Sequence, residues 1–303
     1  MKKILPVVLL LLISEISYAC EICGCANNNF QIGLLPNFRK YFIGLRYSTA
    51  RYNSTLKDSP SEYSRDYYRS FELWGGYQFK KVQVMAFLPY LVSTKISDDG
   101  KVHSNGMGDM IVMANYRVWS KMSMNEDMTR TSKNELWLGG GIKLPTGVSK
   151  VDVSQTNFNV GDFNSQPGTG SVDYLMNATH NFIWNNSGIV TNATYRYNTT
   201  NSQNYHFGNR MYLSSSFFQT FKIKKVKLRP MAGFSYLKND VNTFGGNKIE
   251  GSNGYTFSGV GGVNLIFGKF GIMANTNLPI AQDSFNGQTK LQSKTTIGLT
   301  FSI

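Results

Sequence analysis

The stretch Thr295–Ile303, "TTIGLTFSI", decides the fold. Ile297, Leu299, Phe301 and Ile303 alternate with Thr296, Gly298, Thr300 and Ser302. A period of two puts every second side chain on one face of an extended chain, so one face here is wholly apolar and the other small or polar. A helix would scatter the same residues around its circumference. The β-branched and aromatic types at these positions also suit a pleated surface.

The pattern repeats outward along the chain. In "YTFSGVGGVNLIF" Tyr255, Phe257, Val263, Leu265 and Phe267 oppose Thr256, Ser258 and Asn264. In "ELWLGGGIKL" Leu136, Leu138, Ile142 and Leu144 oppose Glu135 and Lys143, and in "FELWGGYQF" Phe71, Leu73, Tyr77 and Phe79 oppose Glu72 and Gln78. "VQVMAFLPYLV" sets Val82, Val84, Ala86, Leu88, Tyr90 and Val92 on one face. About twelve such segments follow, near 38–52, 67–79, 82–94, 108–119, 134–145, 172–184, 188–199, 208–221, 226–238, 255–267, 270–279 and 293–303. An even count of strands about ten residues long suits a single-chain outer-membrane barrel.

The connections alternate as well. Lys80-Lys81, Asn185-Asn186-Ser187, Lys222–Lys225 and Gly268-Lys269 are short, with the Ser120–Lys133 connection a longer exception. Segments 53–66, 95–107, 146–171, 200–207, 239–254 and 280–292 read as long loops. That is the rhythm of short periplasmic turns and long extracellular loops. A soluble sandwich or lipocalin-like barrel shows the same alternation of side chains. Targeting separates the cases: Lys2 and Lys3, the apolar run Ile4–Ile13 and the small-x-small site Ser17-Tyr18-Ala19 read as a secretory signal peptide over 1–19. The expected organisation is therefore a signal peptide (1–19), a periplasmic cysteine-containing tether (20–37) and an all-β, transmembrane, antiparallel up-and-down barrel (38–303) in the outer membrane of a Gram-negative bacterium, with both termini periplasmic.

Composition agrees with strands in lipid. Among 303 residues, 14% are aromatic and only 16% charged, and there are 29 glycines. Tyr41, Phe42, Tyr67, Tyr68, Phe79, Trp119, Trp184, Tyr197, Phe221 and Phe267 fall near strand ends, where interfacial girdles sit. The formal charge is +13. Export makes outer-membrane lipids, and not nucleic acid, the partner of such a surface. A small solute or metal ion is the other expected partner, and a periplasmic protein remains open.

Three longer motifs sit at strand ends: "GMGDM" (Gly106–Met110), "GGGIKLPTG" (Gly139–Gly147) and "QPGTGSVDYL" (Gln166–Leu175). In this order and spacing the chain resembles the outer-membrane barrel family named for the meta-pathway of phenol degradation. The resemblance implies an outer-membrane barrel that moves small molecules, and names no solute. Read from the residues alone, Gly, Pro, Thr and Ser at strand ends make turns and let backbones approach closely, so the motifs shape the rim of the 146–171 loop or touch a solute there.

Candidate chemistry lies in three places. The residues opposite the apolar faces, among them Glu72, Glu135, Lys143 and Asp173, are expected to line the lumen, where mixed signs pair and narrow the bore. All three cysteines, Cys20, Cys23 and Cys25, fall in "CEICGC" on the expected tether. Soft thiolates so clustered suit copper(I) or another soft ion. An oxidising periplasm equally allows a Cys20–Cys23 disulfide, and Cys20 a lipid anchor. "SKMSMNEDMTR" places the thioethers of Met122, Met124 and Met128 on the same side of the membrane. A Cys-x-x-Cys-Gly-Cys start also resembles a metal-handling sub-branch of that family. His103, His180 and His206 lack the spacing to a serine that an outer-membrane phospholipase needs, so no enzyme is expected. The expected function is a transporter or channel for small solutes handling a soft metal, the alternative a structural or adhesive barrel with ligand-binding loops.

Overall fold

A computed structural model describes residues 41–55, 63–97, 100–125, 131–149, 151 and 163–303. The expected signal peptide and cysteine tether lie outside the described residues. The barrel has twelve strands: β1 Tyr41–Thr55, β2 Tyr63–Phe79, β3 Val82–Ser97, β4 Gly100–Met107 continuing as Met110–Met124, β5 Thr131–Leu144 and β6 Asp173–Trp184, then β7 Ser187–Tyr197, β8 Arg210–Gln219 continuing as Phe221–Ile223, β9 Val226–Asn239, β10 Gly254–Phe267, β11 Phe270–Ser284 and β12 Thr289–Ser302. Each pairs antiparallel with the next, and β12 pairs with β1 (Leu45↔Leu299) to close the ring. Among the described residues no helix is long and apolar enough to cross a membrane. Closure is what lets strands do so, because an open edge in hydrocarbon leaves backbone groups unpaired.

Which face is wet settles lipid against water. Leu45, Phe71, Leu73, Met176 and Leu299 point outward and are exposed, Leu45 at 61%. Arg46, Gln83, Glu135, Asn177, Asn192 and Asn264 point inward and are buried. A soluble barrel has the opposite sense, so the apolar face of Ile297, Leu299 and Phe301 meets lipid.

One end of the barrel, the turn end, carries the two-residue turns Lys80-Lys81, Asn185-Asn186, Lys224-Lys225 and Gly268-Lys269. Their first residues hold φ of 51°, 52°, 54° and 59°, the left-handed geometry that matches a hairpin's twist. The other, the loop end, departs from expectation. Segments 95–107 and 280–292 are mostly strand: Tyr90–Ser97 pairs with Gly100–Met107, and β11 and β12 meet at a tight tip over 285–288. The strands outrun the bilayer. Fifteen residues tilted about 40° rise roughly 38 Å, against an apolar band of about 25 Å, so the surplus stands in water and alternates without apolar contrast. Met122 and Met124 likewise lie in β4 and not in a connection. Phe42 and Tyr68 correct the girdle: unlike Tyr41 and Phe79 they turn into the lumen, Phe42 edge-on to Trp74 at 4.9 Å and Tyr68 opposite the inward Ala50.

Loops fold over the loop end. Phe163, Tyr205 and Phe207 are almost wholly buried, with Phe163 stacked on Tyr205 at 4.2 Å. A small sheet of Tyr205–His206, Thr243–Phe244 and Asn247–Lys248 joins two of these loops. One seam in the wall differs from the rest. β11 and β12 stay in register from Phe270↔Phe301 to Asn277↔Lys294 and meet again at Ser284↔Thr289. Between these points Gln282 donates from Nε2 to the Leu291 carbonyl at 3.0 Å and accepts the Leu291 N–H at 2.8 Å. A side-chain amide thus replaces ladder bonds beside Pro279, which has no N–H to give.

Candidate functional site: the lumen and its anchored rim

The three sequence motifs converge on one buried node. Asp109 of "GMGDM" sits where β4 breaks, Lys143 of "GGGIKLPTG" ends β5, and Thr169, Ser171 and Asp173 of "QPGTGSVDYL" lead into β6. Lys143 pairs with Asp109 at 2.8 Å and with Asp173 at 2.9 Å, all three at most 2% exposed. The Asp109 carboxylate also accepts the Thr169 N–H at 2.8 Å, the Thr169 hydroxyl at 2.7 Å and the Gly147 N–H at 3.0 Å. Asp173 accepts the Ser171 hydroxyl at 2.8 Å and the Thr199 N–H at 3.1 Å. A buried charge pair helps only where its remaining lone pairs are met. Here backbone donors and hydroxyls meet them.

The glycines of these motifs permit the crossing. A Cβ on Gly168 would lie 2.6 Å from the Gly147 carbonyl carbon, and one on Gly147 2.7 Å from the Gly168 Cα. Val148 donates to the Met107 carbonyl and Gly168 to that of Val148, each at 2.8 Å. The motifs therefore clamp the ends of the 145–172 connection to the inner rim of β4–β6.

Below the node the lumen has two kinds of wall. Phe42, Trp74, Met85, Phe87, Ile111, Met113 and Leu175 form a buried apolar patch across β1–β6. The Arg46 guanidinium lies over it, 5.3 Å from the Trp74 ring centre and 5.7 Å from that of Phe87, and pairs with Glu72. Glu135 is the second acidic centre, held by Arg117 at 3.2 Å and Lys133 at 3.0 Å. A bulge at Val118 shifts the alternation of β4, so Ser120 also turns to Glu135, at 3.4 Å. Elsewhere asparagine, serine and threonine line the bore, as in the chain from Asn192 Nδ2 to the Thr179 hydroxyl (2.8 Å) and on to Asn177 Oδ1 (3.3 Å).

The structure thus places Glu72, Glu135, Lys143 and Asp173 on the lumen side, Lys143 and Asp173 together and the glutamates apart. Cys20, Cys23, Cys25 and Met128 lie outside the described residues. Met122 and Met124 lie past the Val118 bulge, exposed at the turn-end rim opposite Lys133 and Thr131. Among the described residues no three His, Cys, Asp or Glu side chains gather to hold a metal. Sequence reasoning missed Arg46, Asp109, Thr169 and Lys294. The alternation of "YFIGLRYS" against Leu45 could have found Arg46, whereas Asp109 and Thr169 meet 60 positions apart and only the fold joins them.

No family model and no curated protein matches the chain. Among solved structures it is similar to the COG4313 outer membrane channel from Pseudomonas putida F1, with a TM-score of 0.59 and 13% identity over 89% of this chain and 99% of the channel. It is also similar to the beta domain of the Bordetella autotransporter BrkA, with a TM-score of 0.52 and 11% identity over 88% of this chain and 100% of that domain. At these identities the likeness is one of fold: the chain has the closed, twelve-stranded fold of the outer-membrane β-barrels it resembles.

Proposed function

We propose that this barrel is a channel for small solutes across the outer membrane, of the meta-pathway type that its motifs resemble, with its turn end and both termini periplasmic. The observation behind this reading is that lumen-facing Ser48, Tyr52, Tyr68, Ser70 and Lys294 keep partial exposure although β1, β2 and β12 are laddered along most of their length. That exposure lies on the inner face of a closed wall, as an open bore requires. A merely structural barrel has no need of charged side chains on such a wall, since burying charge costs free energy unless it is compensated. The resemblance to a solved outer membrane channel agrees with this reading.

A soft metal ion as the solute is a narrower form of the proposal. It rests on the spacing of Cys20, Cys23 and Cys25 in sequence and on the thioethers of Met122 and Met124 at the turn end.

Single-channel recording in planar bilayers and solute-driven swelling of proteoliposomes test the proposal. Discrete conductance steps and swelling by small solutes are expected. Heat-modifiable, folded protein that gives neither would refute it.

A further inference from the structure

Among the described residues a second cation, Lys294, stands beside the Arg46–Glu72 pair inside the bore. Arg46 and Glu72 face each other on β1 and β2 and neutralise one another. Lys294 on β12 lies within electrostatic range of both. It also faces Ala50 on β1, and Ala50 in turn faces Tyr68 on β2. No carboxylate stands within ion-pair distance of Lys294 among the described residues, so the trio holds two cations against one anion. Arg229 on β9, three strands from β12, repeats the imbalance: it donates to the Thr220 hydroxyl at 3.1 Å and covers the Phe218 ring at 4.6 Å, with no carboxylate within ion-pair distance among the described residues.

The surroundings of Lys294 have the parts of a binding site. The small Ala50 lies between Lys294 and Tyr68 across the ladder, facing one on β12 and the other on β2. Hydroxyl groups lie on either side: Ser48 is hydrogen-bonded to Thr296 at 3.0 Å and faces Ser70. Tyr68 and Tyr52 pack edge to face at 5.8 Å and provide an aromatic wall above. A partly desolvated cation lacking a counter-ion, flanked by hydroxyl donors and aromatic faces, favours an anion with an apolar body.

We infer that Lys294, seated over Ala50 beside Arg46, is the solute-binding point of the lumen and takes the carboxylate of a small organic acid whose apolar body lies on Tyr68. This rests on the channel reading above and names its solute class. A neutral phenol or hydrocarbon would gain the tyrosine contact and leave the ammonium uncompensated. A cation would be repelled by Lys294.

The test uses the full mature protein in planar bilayers, as wild type, Lys294→Met and Lys294→Arg, each shown to be folded by heat-modifiable migration. Removing the uncompensated charge does not threaten folding, since methionine keeps the volume. In a KCl gradient the wild type is expected to prefer chloride. Lys294→Met should lose roughly tenfold of that preference, and Lys294→Arg should keep it. Sodium benzoate should interrupt the chloride current of wild type and Lys294→Arg but not of Lys294→Met, with benzyl alcohol inert. A preference for potassium, an unchanged preference in Lys294→Met, or equal block by benzyl alcohol would overturn the inference while leaving a conducting barrel. A folded wild type without conductance would remove the channel reading and the inference together.

Discussion

Replacing Asp109 with alanine is expected to free the 145–172 connection from the rim and leave the barrel closed. The wild-type carboxylate receives the Lys143 ammonium, the Thr169 hydroxyl and two backbone N–H groups, those of Gly147 and Thr169. Alanine strands the buried Thr169 N–H and the half-buried Gly147 N–H, at about 1–3 kcal/mol each with Gly147 at the low end. Lys143 keeps Asp173 at 2.9 Å, so the ion-pair loss falls below the about 3–5 kcal/mol of a fully broken buried pair. These terms overlap, and about 4 kcal/mol is a fair total, equivalent to roughly a thousandfold rise in local opening. Hydrogen-exchange mass spectrometry reads that quantity. Peptides covering 145–149 and 166–172 should lose protection by about that factor, while a peptide from β10 should not change. Asp109→Asn, which keeps an acceptor oxygen, should fall between. Unchanged protection at 166–172 would refute the assignment of Asp109 as anchor. Equal loss in β10 would show that the node belongs to the cooperative unit of the whole barrel and is not a local clamp.

Three further expectations follow from other parts of the molecule. Leu45→Arg places a charge on the lipid face and should destabilise folding into vesicles by about 2–4 kcal/mol, read as a shift of the urea midpoint; an unshifted midpoint would contradict the inside-out sense of the wall. Gln282→Ala removes both bonds to Leu291 and should lower stability by about 1–2 kcal/mol, with faster exchange at 278–283 and 290–293. Equal exchange in wild type and variant would mean that the amide does not hold the seam. On the soft-metal reading, anaerobically purified mature protein should carry copper(I) that Cys23→Ser/Cys25→Ser loses, by metal analysis and thiol count; equal copper in both proteins would dismiss the thiols as ligands.

Alternation made the membrane-embedded part of the fold legible. Wherever lipid demands apolar side chains on one face, as at Leu136 and Leu138 beside Glu135 and Trp137, strand and facing can both be read from the letters. Above the bilayer that demand ends. "GKVHSNGM" therefore reads as loop although it pairs residue for residue with β3. Phe42 shares the inward parity of Arg46 in "YFIGLRYS", so the alternation carried its facing, and only its place at a strand end groups it with Tyr41 in the girdle. The bulge at Val118 resets the alternation without any glycine or proline to mark it, so the lumen side of Met122 and Met124 could not be read. The motifs could be grouped by resemblance, but their joint role depends on a register that brings Asp109 to Thr169. Lys294 lay in "QSKTT", where no neighbour contrasts with it.

The ring closes through β1 and β12, and this has a consequence for how the protein is made. Every other strand pairs with its neighbour in sequence, so those ladders can start as local hairpins. The closing ladder joins groups such as Ser48 and Thr296, 248 positions apart, and bears the loop-closure entropy of almost the entire chain. A nascent polypeptide that has completed eleven strands would hold nearly all its hairpins and still present two raw edges, one of them β1. Such edges recruit other chains in water and cannot be buried in hydrocarbon. Membrane entry and the docking of β12 are therefore coupled, because the β1 edge stays unpaired until β12 reaches it.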